Sequence, residues 1–305
     1  MGRAYIGGFA LALRRWAIVL LAFLASVLAG LSFAAAAWSW LASALGSSLA
    51  TRSLLTDLNV QVFIDLFIHH QESLWMLVLT GSVLVAVFTL LGVWLNAVAV
   101  VSVGEDISAS RCLLRGFQLY PTYLGLWVLS NGCVVASGAA VFLSGWWLTR
   151  WRTESAAEMT FYWIVASNAL AGALLWFFFA TVHDHARIRS RAAGVGAIRA
   201  FGWAFAYVGR RNKRALPLSG LFLGTGAALW AVYQSISHYI AANSALGVTP
   251  SLLLGEALLF ARMFLRVWCF GAETQLQQGR EGAASWVSAA TDRPRRLSAL
   301  CSRLR

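Results

Sequence analysis

The sequence predicts an all-α polytopic transmembrane bundle of about six spans, with interfacial amphipathic helices at its edge. Three observations lead there. Six apolar stretches each reach the roughly 20 residues that cross a hydrocarbon core of about 30 Å. The chain is 59% hydrophobic and 12% charged, with a mean hydropathy of +0.69, so a soluble fold of 305 residues would have no polar coat. The positive charges gather between alternate stretches, on one side. With 4 Pro in the chain and none of the two-residue alternation of an outer-membrane barrel, helices are the structure that satisfies the backbone within lipid.

The first span, 16 to 44, follows Arg14 and Arg15 and passes Ala35, Ala36 and Ala37, small residues of the kind found at signal cleavage sites. Its apolar run is too long for a signal h-region, and it is expected to remain as the first helix. Between 46 and 73, Leu58, Val60, Phe63, Ile64, Phe67 and Ile68 are mixed with Asp57, Asp65, His69, His70 and Glu72. That mixture predicts a short helix on the outer leaflet or over the bundle. The remaining spans are expected at 74 to 101, 121 to 148, 159 to 182, 216 to 240 and 250 to 271.

Two connections read as interfacial helices. In 194 to 209, Val195, Ile198, Phe201, Phe205 and Val208 recur at three and four, one helical stripe beside Arg199 and the Arg210, Arg211, Lys213, Arg214 cluster. The segment 105 to 119 repeats the idea with Ile107, Leu113, Leu114 and Phe117 beside Arg111 and Arg115. Residues 1 to 279 thus form the bundle, and 280 to 305 a mobile basic tail with Pro294 among Arg293, Arg295 and Arg296.

Orientation follows from charge. With the N-terminus in the cytoplasm, nineteen of the 24 Lys and Arg fall inside, three (Arg52, Arg150, Arg152) outside, and Arg262 and Arg266 within the sixth span. By the positive-inside rule both termini are cytoplasmic. Trp38, Trp40, Trp75, Trp146, Trp147, Trp151 and Trp163 mark the outer boundary, and Trp16 and Trp268 the inner one. A net charge of +12 is then an attraction for anionic headgroups, at about 1 kcal/mol per basic residue, and no nucleic-acid partner is expected.

Polar groups at membrane depth are costly and mark candidate sites. Arg262 and Arg266 lie four apart on the sixth span without an acidic neighbour in sequence; Arg266 is expected to snorkel to the headgroups, and Arg262 to turn inward onto an acidic or carbonyl partner. Glu256 is expected opposite Gln234, Ser235 and His238 of the fifth span, as a structural clasp or a proton or ion site. Asp184 is expected to pair with Arg187 one turn on, or with Arg266. His183 and His185, two apart, do not share a helical face, so a metal there would need an extended loop and further ligands. Asn96, Asn131, Ser167 and Asn168 read as interhelical hydrogen bonding. Cys112, Cys133, Cys269 and Cys301 show no disulfide or zinc spacing, and neither metal nor cofactor is expected.

The string Asp184-His185-Ala186-Arg187-Ile188 after a span, followed by a basic amphipathic helix and another span, resembles a loosely defined group of bacterial six-helix multi-pass proteins. It is also similar to the membrane domains attached to some glycerophosphodiester phosphodiesterases. The motif is five residues long, and the family's aromatic after the Asp is His185 here. The resemblance implies a bacterial inner-membrane domain without its enzyme, since the cytoplasmic loops and the tail are too short for a hydrolase. No phosphate-binding loop, nucleophile elbow or zinc-protease motif occurs. The expectation is a non-enzymatic membrane protein: a structural or assembly component, or a lipid-interacting domain, with anionic lipids, a protein partner or a second copy as its partners. The alternative is a small-molecule or lipid transporter.

Overall fold

The structure, a computed structural model, describes residues 1–45, 68, 71–152, 158–240 and 245–303. The short outer helix expected around Leu58 to Phe67 lies outside the described residues. The described chain is helical, with α1 Gly2–Arg14, α2 Trp16–Leu45, α3 Gln71–Gly104, α4 Ala109–Arg152, α5 Glu158–Ala193, α6 Ala197–Ala206, α7 Ala215–Ser237 and α8 Ala245–Arg303. Five of these, α2, α3, α4, α5 and α7, contain stretches long and apolar enough to cross a membrane, so the all-α bundle expected of an integral membrane protein is the observed architecture.

The sixth expected span is the first half of α8, and it is not among those five. It carries Glu256, Arg262 and Arg266, yet it runs the length of the bundle. Phe260 packs edge-on against Phe23 of α2 at 5.6 Å between ring centroids, and Ala272 meets Gly8 of α1. The other helices reach the same end. Arg15 donates to the carbonyl oxygens of Ile107 and Glu105 and pairs with Asp106 at 2.8 Å, and the Arg191 guanidinium lies against Gly104, where any side chain would collide with it. Residues 8–15, 104–107, 191 and 272 therefore share one level, and the long helices leave it and return to it alternately.

Burial is concentrated at this end. Val98, Val100, Val101, Tyr123, Leu126, Ile188, Leu218 and Phe270 are fully buried, while Trp75, Leu79, Val135, Phe142 and Trp163, toward the other end, are more than half exposed. Apolar side chains left open over a half of each helix need an apolar solvent, which a bilayer provides and water does not.

Three elements differ from the sequence reading. Residues 2–14, which the hydropathy pattern leaves unassigned, form α1, pinned to α8 by Trp268 Nε1 donating to the Tyr5 carbonyl oxygen at 2.7 Å. Tyr5, Phe9, Phe222 and Trp268 form a ring cluster around that bond. A Cβ on Gly8 would stand 2.5 Å from the Ala272 backbone nitrogen, so the two helices cross in backbone contact. The expected separate helix at 105 to 119 is instead the start of α4, which passes through Pro121 without ending. The tail expected as a mobile extension continues α8 to Arg303.

The helix expected over 194 to 209 is present as α6, followed by a π-helical turn at Tyr207–Arg211. Its packed face is Ala200, Ala204, Tyr207 and Val208, against Phe178, Val182 and Ala186 of α5 and Leu126 of α4. The expected stripe is divided, because small residues let α6 approach closely: Val208 is buried and Val195 and Phe201 pack against the same cluster, Phe205, 48% exposed, lies edge-on against Phe178 of α5, and Ile198 stays on the open side at 78% exposure.

Candidate functional site

The last turns of α5 leave the apolar zone, and α3, α4, α6 and α8 enclose them. Thr181, His183, Asp184, His185, Arg187 and Ser190 are all buried there. Residues three apart share a helical face, so Arg187 reaches back to Asp184, with Nη1 3.3 Å from Oδ1. Arg266 of α8 reaches the same oxygen from the other side, Nη2 to Oδ1 at 3.2 Å. Its Nε donates to Asn96 Oδ1 of α3 at 3.3 Å, and its guanidinium lies 4.9 Å from the Phe270 ring centroid. Tyr123 of α4 donates its hydroxyl to the Arg187 carbonyl oxygen at 2.9 Å. The Asp184 carboxylate thus ties α5 to α8 through Arg266, and Arg266 carries the link on to Asn96 of α3.

His183 and His185 point to opposite sides, as a spacing of two on a helix requires. His183 lines a polar cavity of about 350 Å³ between α3, α4, α5 and α8, together with Asn96, Ser130, Asn131, Arg187 and Arg266. His185 faces Tyr207 and α8, with Nδ1 2.9 Å from Gln277 Nε2. Gln277 also donates to the His185 carbonyl oxygen at 3.3 Å.

Cys269, Glu273 and Gln277 recur every four residues on the face of α8 that meets α5. Glu273 is 1% exposed, and its Oε1 accepts from Ser219 Oγ of α7 at 3.3 Å and from Cys269 Sγ at 3.6 Å. Burial, reinforced by the nearby Asp184 carboxylate, pushes the Glu273 carboxyl well above the usual carboxylate range. That shift favours the protonated acid, and Glu273 pairs with neither arginine, its contacts being Ser219 and Cys269. Oxygen or sulfur atoms of Asp184, Cys269 and Glu273 lie within 4.8 Å of one another, a donor set that a divalent metal accepts by type. A cation there would sit beside the guanidinium groups of Arg187 and Arg266, which repel it, so the charge arrangement favours an anion.

Of the five residues singled out in the sequence, the structure brings Asp184, Arg187 and Arg266 together and leaves Glu256 and Arg262 apart. Arg266 does not snorkel outward, because Asp184 and Asn96 hold it toward the helices. Arg262 does not turn inward to an acid. It is exposed on a groove of about 460 Å³ between α7 and α8, lined by Phe222, Leu223, Leu229, Trp230 and Leu258, residues that offer a guanidinium no carboxylate. Glu256 lines a small cavity with Tyr233 and Ser251. No clasp to Gln234, Ser235 or His238 forms among the described contacts, and Ser235 donates instead to the Ala231 carbonyl oxygen of its own helix at 2.9 Å.

Sequence reasoning missed Tyr123, Ser219, Glu273 and Gln277 as parts of this site. The Cys269, Glu273, Gln277 spacing, one polar group per turn after Arg266, was the signal available for the α8 face. Compared with protein-family models, with curated proteins and with solved structures, the chain matches none.

Proposed function

We propose that this integral membrane protein is a non-enzymatic, lipid-interacting bundle that acts as a structural or assembly component of a bacterial inner membrane, with its basic end and both termini cytoplasmic. The observation that carries the reading is α6. One face of it packs on α5, while Ile198 and the outer edge of Phe205, whose other edge meets Phe178, remain exposed beside Arg199 and just before Arg210, Lys213 and Arg214. Apolar side chains next to a basic cluster at a bundle's edge suit insertion into the headgroup region of an anionic leaflet.

Spin labels at Ile198 and Phe205 in phosphatidylglycerol nanodiscs test this. Oxygen-accessible, water-inaccessible signals at both positions are expected, and water-accessible signals would overturn the interfacial placement. The second reading, a small-molecule or lipid transporter, is favoured by one observation: Arg262, without an ion-pair partner among the described residues, faces the mostly apolar groove between α7 and α8. Proteoliposome flux of a fluorescent anionic phospholipid, lost in a folded Arg262→Gln protein, would replace the first reading with the second.

A further inference from the structure

We infer that the polar cavity between α3, α4, α5 and α8 is a binding site for one phosphate-class anion, held by Arg187 and Arg266. Where that anion is a lipid headgroup, the inference rests on the lipid-interacting reading above. Where it is free phosphate, it stands without that reading.

Three features point to an anion. First, the site's charges do not cancel: Arg187 and Arg266 share a single carboxylate oxygen of Asp184, and the other acid nearby, Glu273, is turned to Ser219 and Cys269 and pairs with neither arginine. One positive charge is left over where the Arg187 side chain is buried and that of Arg266 is 44% exposed, and a monoanion there gains more than it would at a fully solvated surface. Second, donor capacity is open at the wall. Arg187 is 2% exposed and His183 8% exposed, and both line the cavity. Arg187 Nε and His183 Nδ1 are buried with no hydrogen-bond partner in the protein. Buried polar atoms of this kind ordinarily have a partner, and an oxyanion accepts from the Arg187 N–H. Third, Arg266 is held in place by Asn96 and Phe270, so its guanidinium does not have to be ordered on binding.

Size and depth limit the occupant. About 350 Å³ is at the lower end of ligand-pocket volumes, enough for a headgroup or a small phosphate but not for a whole lipid. Asn96 precedes the end of α3 at Gly104 by eight residues, so the site lies about 12 Å inside the basic end at 1.5 Å per residue. That depth matches a headgroup drawn slightly inward, with its acyl chains remaining among the exposed apolar faces of α3 and α4.

The test uses the full chain purified in detergent and in nanodiscs. Phosphorus-31 magnetic resonance and native mass spectrometry report bound phosphate. Inorganic phosphate is added to delipidated protein in one arm, and phosphatidylglycerol or phosphatidylcholine nanodiscs supply lipid in the other. Two variants probe the cavity. Arg266→Gln removes the excess charge while leaving the Asp184–Arg187 pair. Gly92→Leu fills the cavity from a position where a Cβ meets nothing within 4 Å, so the fold is retained. Arg262→Gln, outside the cavity, is the control.

Binding about tenfold weaker or more is expected in Arg266→Gln, as for loss of a charge-assisted bond, with loss of binding in Gly92→Leu and none in Arg262→Gln. Saturation by inorganic phosphate alone identifies a free anion as occupant, and retention of phosphatidylglycerol alone identifies a headgroup. Wild-type protein that binds neither, or folded Arg266→Gln and Gly92→Leu proteins that bind as wild type does, would overturn the inference. Failure of the lipid reading has a separate sign: Ile198→Asp/Phe205→Asp protein unchanged in its association with anionic lipid, whatever the cavity holds.

Discussion

Replacing Asp184 by Asn should be among the most damaging isosteric changes in this protein. Asp184 is the shared counter-ion of Arg187 and Arg266, at 3.3 and 3.2 Å. The two arginines would respond differently. The Arg187 side chain is 3% exposed and has nowhere to go, so Asp184→Asn leaves a buried guanidinium unpaired, a loss of about 3–5 kcal/mol. The Arg266 side chain is 44% exposed and can turn to the open side, so its share is within about 1 kcal/mol. Arg266→Gln alone should accordingly cost little stability, and Asp184→Leu/Arg187→Met, which removes both buried charges, should recover much of the loss. Thermal unfolding in one detergent, followed by circular dichroism, compares all four proteins. An Asp184→Asn protein within about 1 kcal/mol of wild type, or a double variant worse than the single one, would refute the view that the buried pair is coupled in this way.

Other outcomes follow from the same geometry. Tyr123→Phe removes the hydrogen bond to the Arg187 carbonyl oxygen and should cost about 0.5–1.5 kcal/mol by the same melt. Gly8→Leu cannot fit against the Ala272 backbone; it should release α1 from α8 and open the N-terminal helix to limited proteolysis, whereas Gly92→Leu leaves the digestion pattern unchanged. Glu273 keeps its proton to higher pH when folded than when unfolded, where it ionises above about 4.5, so the unfolded chain loses a proton that the folded chain still holds, and stability falls as pH rises above about 4.5. Glu273→Gln should flatten that fall in a series of melts from pH 4 to 8, despite Asp184, Arg266, Cys269 and Ser219 around it, and a variant with the wild-type slope would remove the assignment. Ser110→Cys, exposed at the basic end, should react with an impermeant maleimide from the cytoplasmic side only; labelling from the outside would invert the proposed orientation.

The sequence by itself determined the bundle, because membrane helices are selected by run length and hydropathy, and both are local properties. It also placed Asp184 with Arg187, since a separation of three on a helix is a contact whatever surrounds it, and it named Arg266 as the other candidate partner. What it did not contain was rotation. Whether Arg266 or Arg262 faces Asp184 depends on how α8 is turned against α5 and α3, and the Gly8–Ala272 crossing with α1 takes part in setting that turn. The helix responsible, α1, is too short to register as a span and was invisible to hydropathy. The same rotation brings Glu273 and Gln277, unremarkable in sequence beyond the last apolar run, beneath His185 and Asp184. Glu256 and Arg262, conspicuous as charges within a span, were left facing other cavities. A charge in an apolar run signals a cost, but its partner is set by the packing of other helices, and that is a property of the tertiary structure alone.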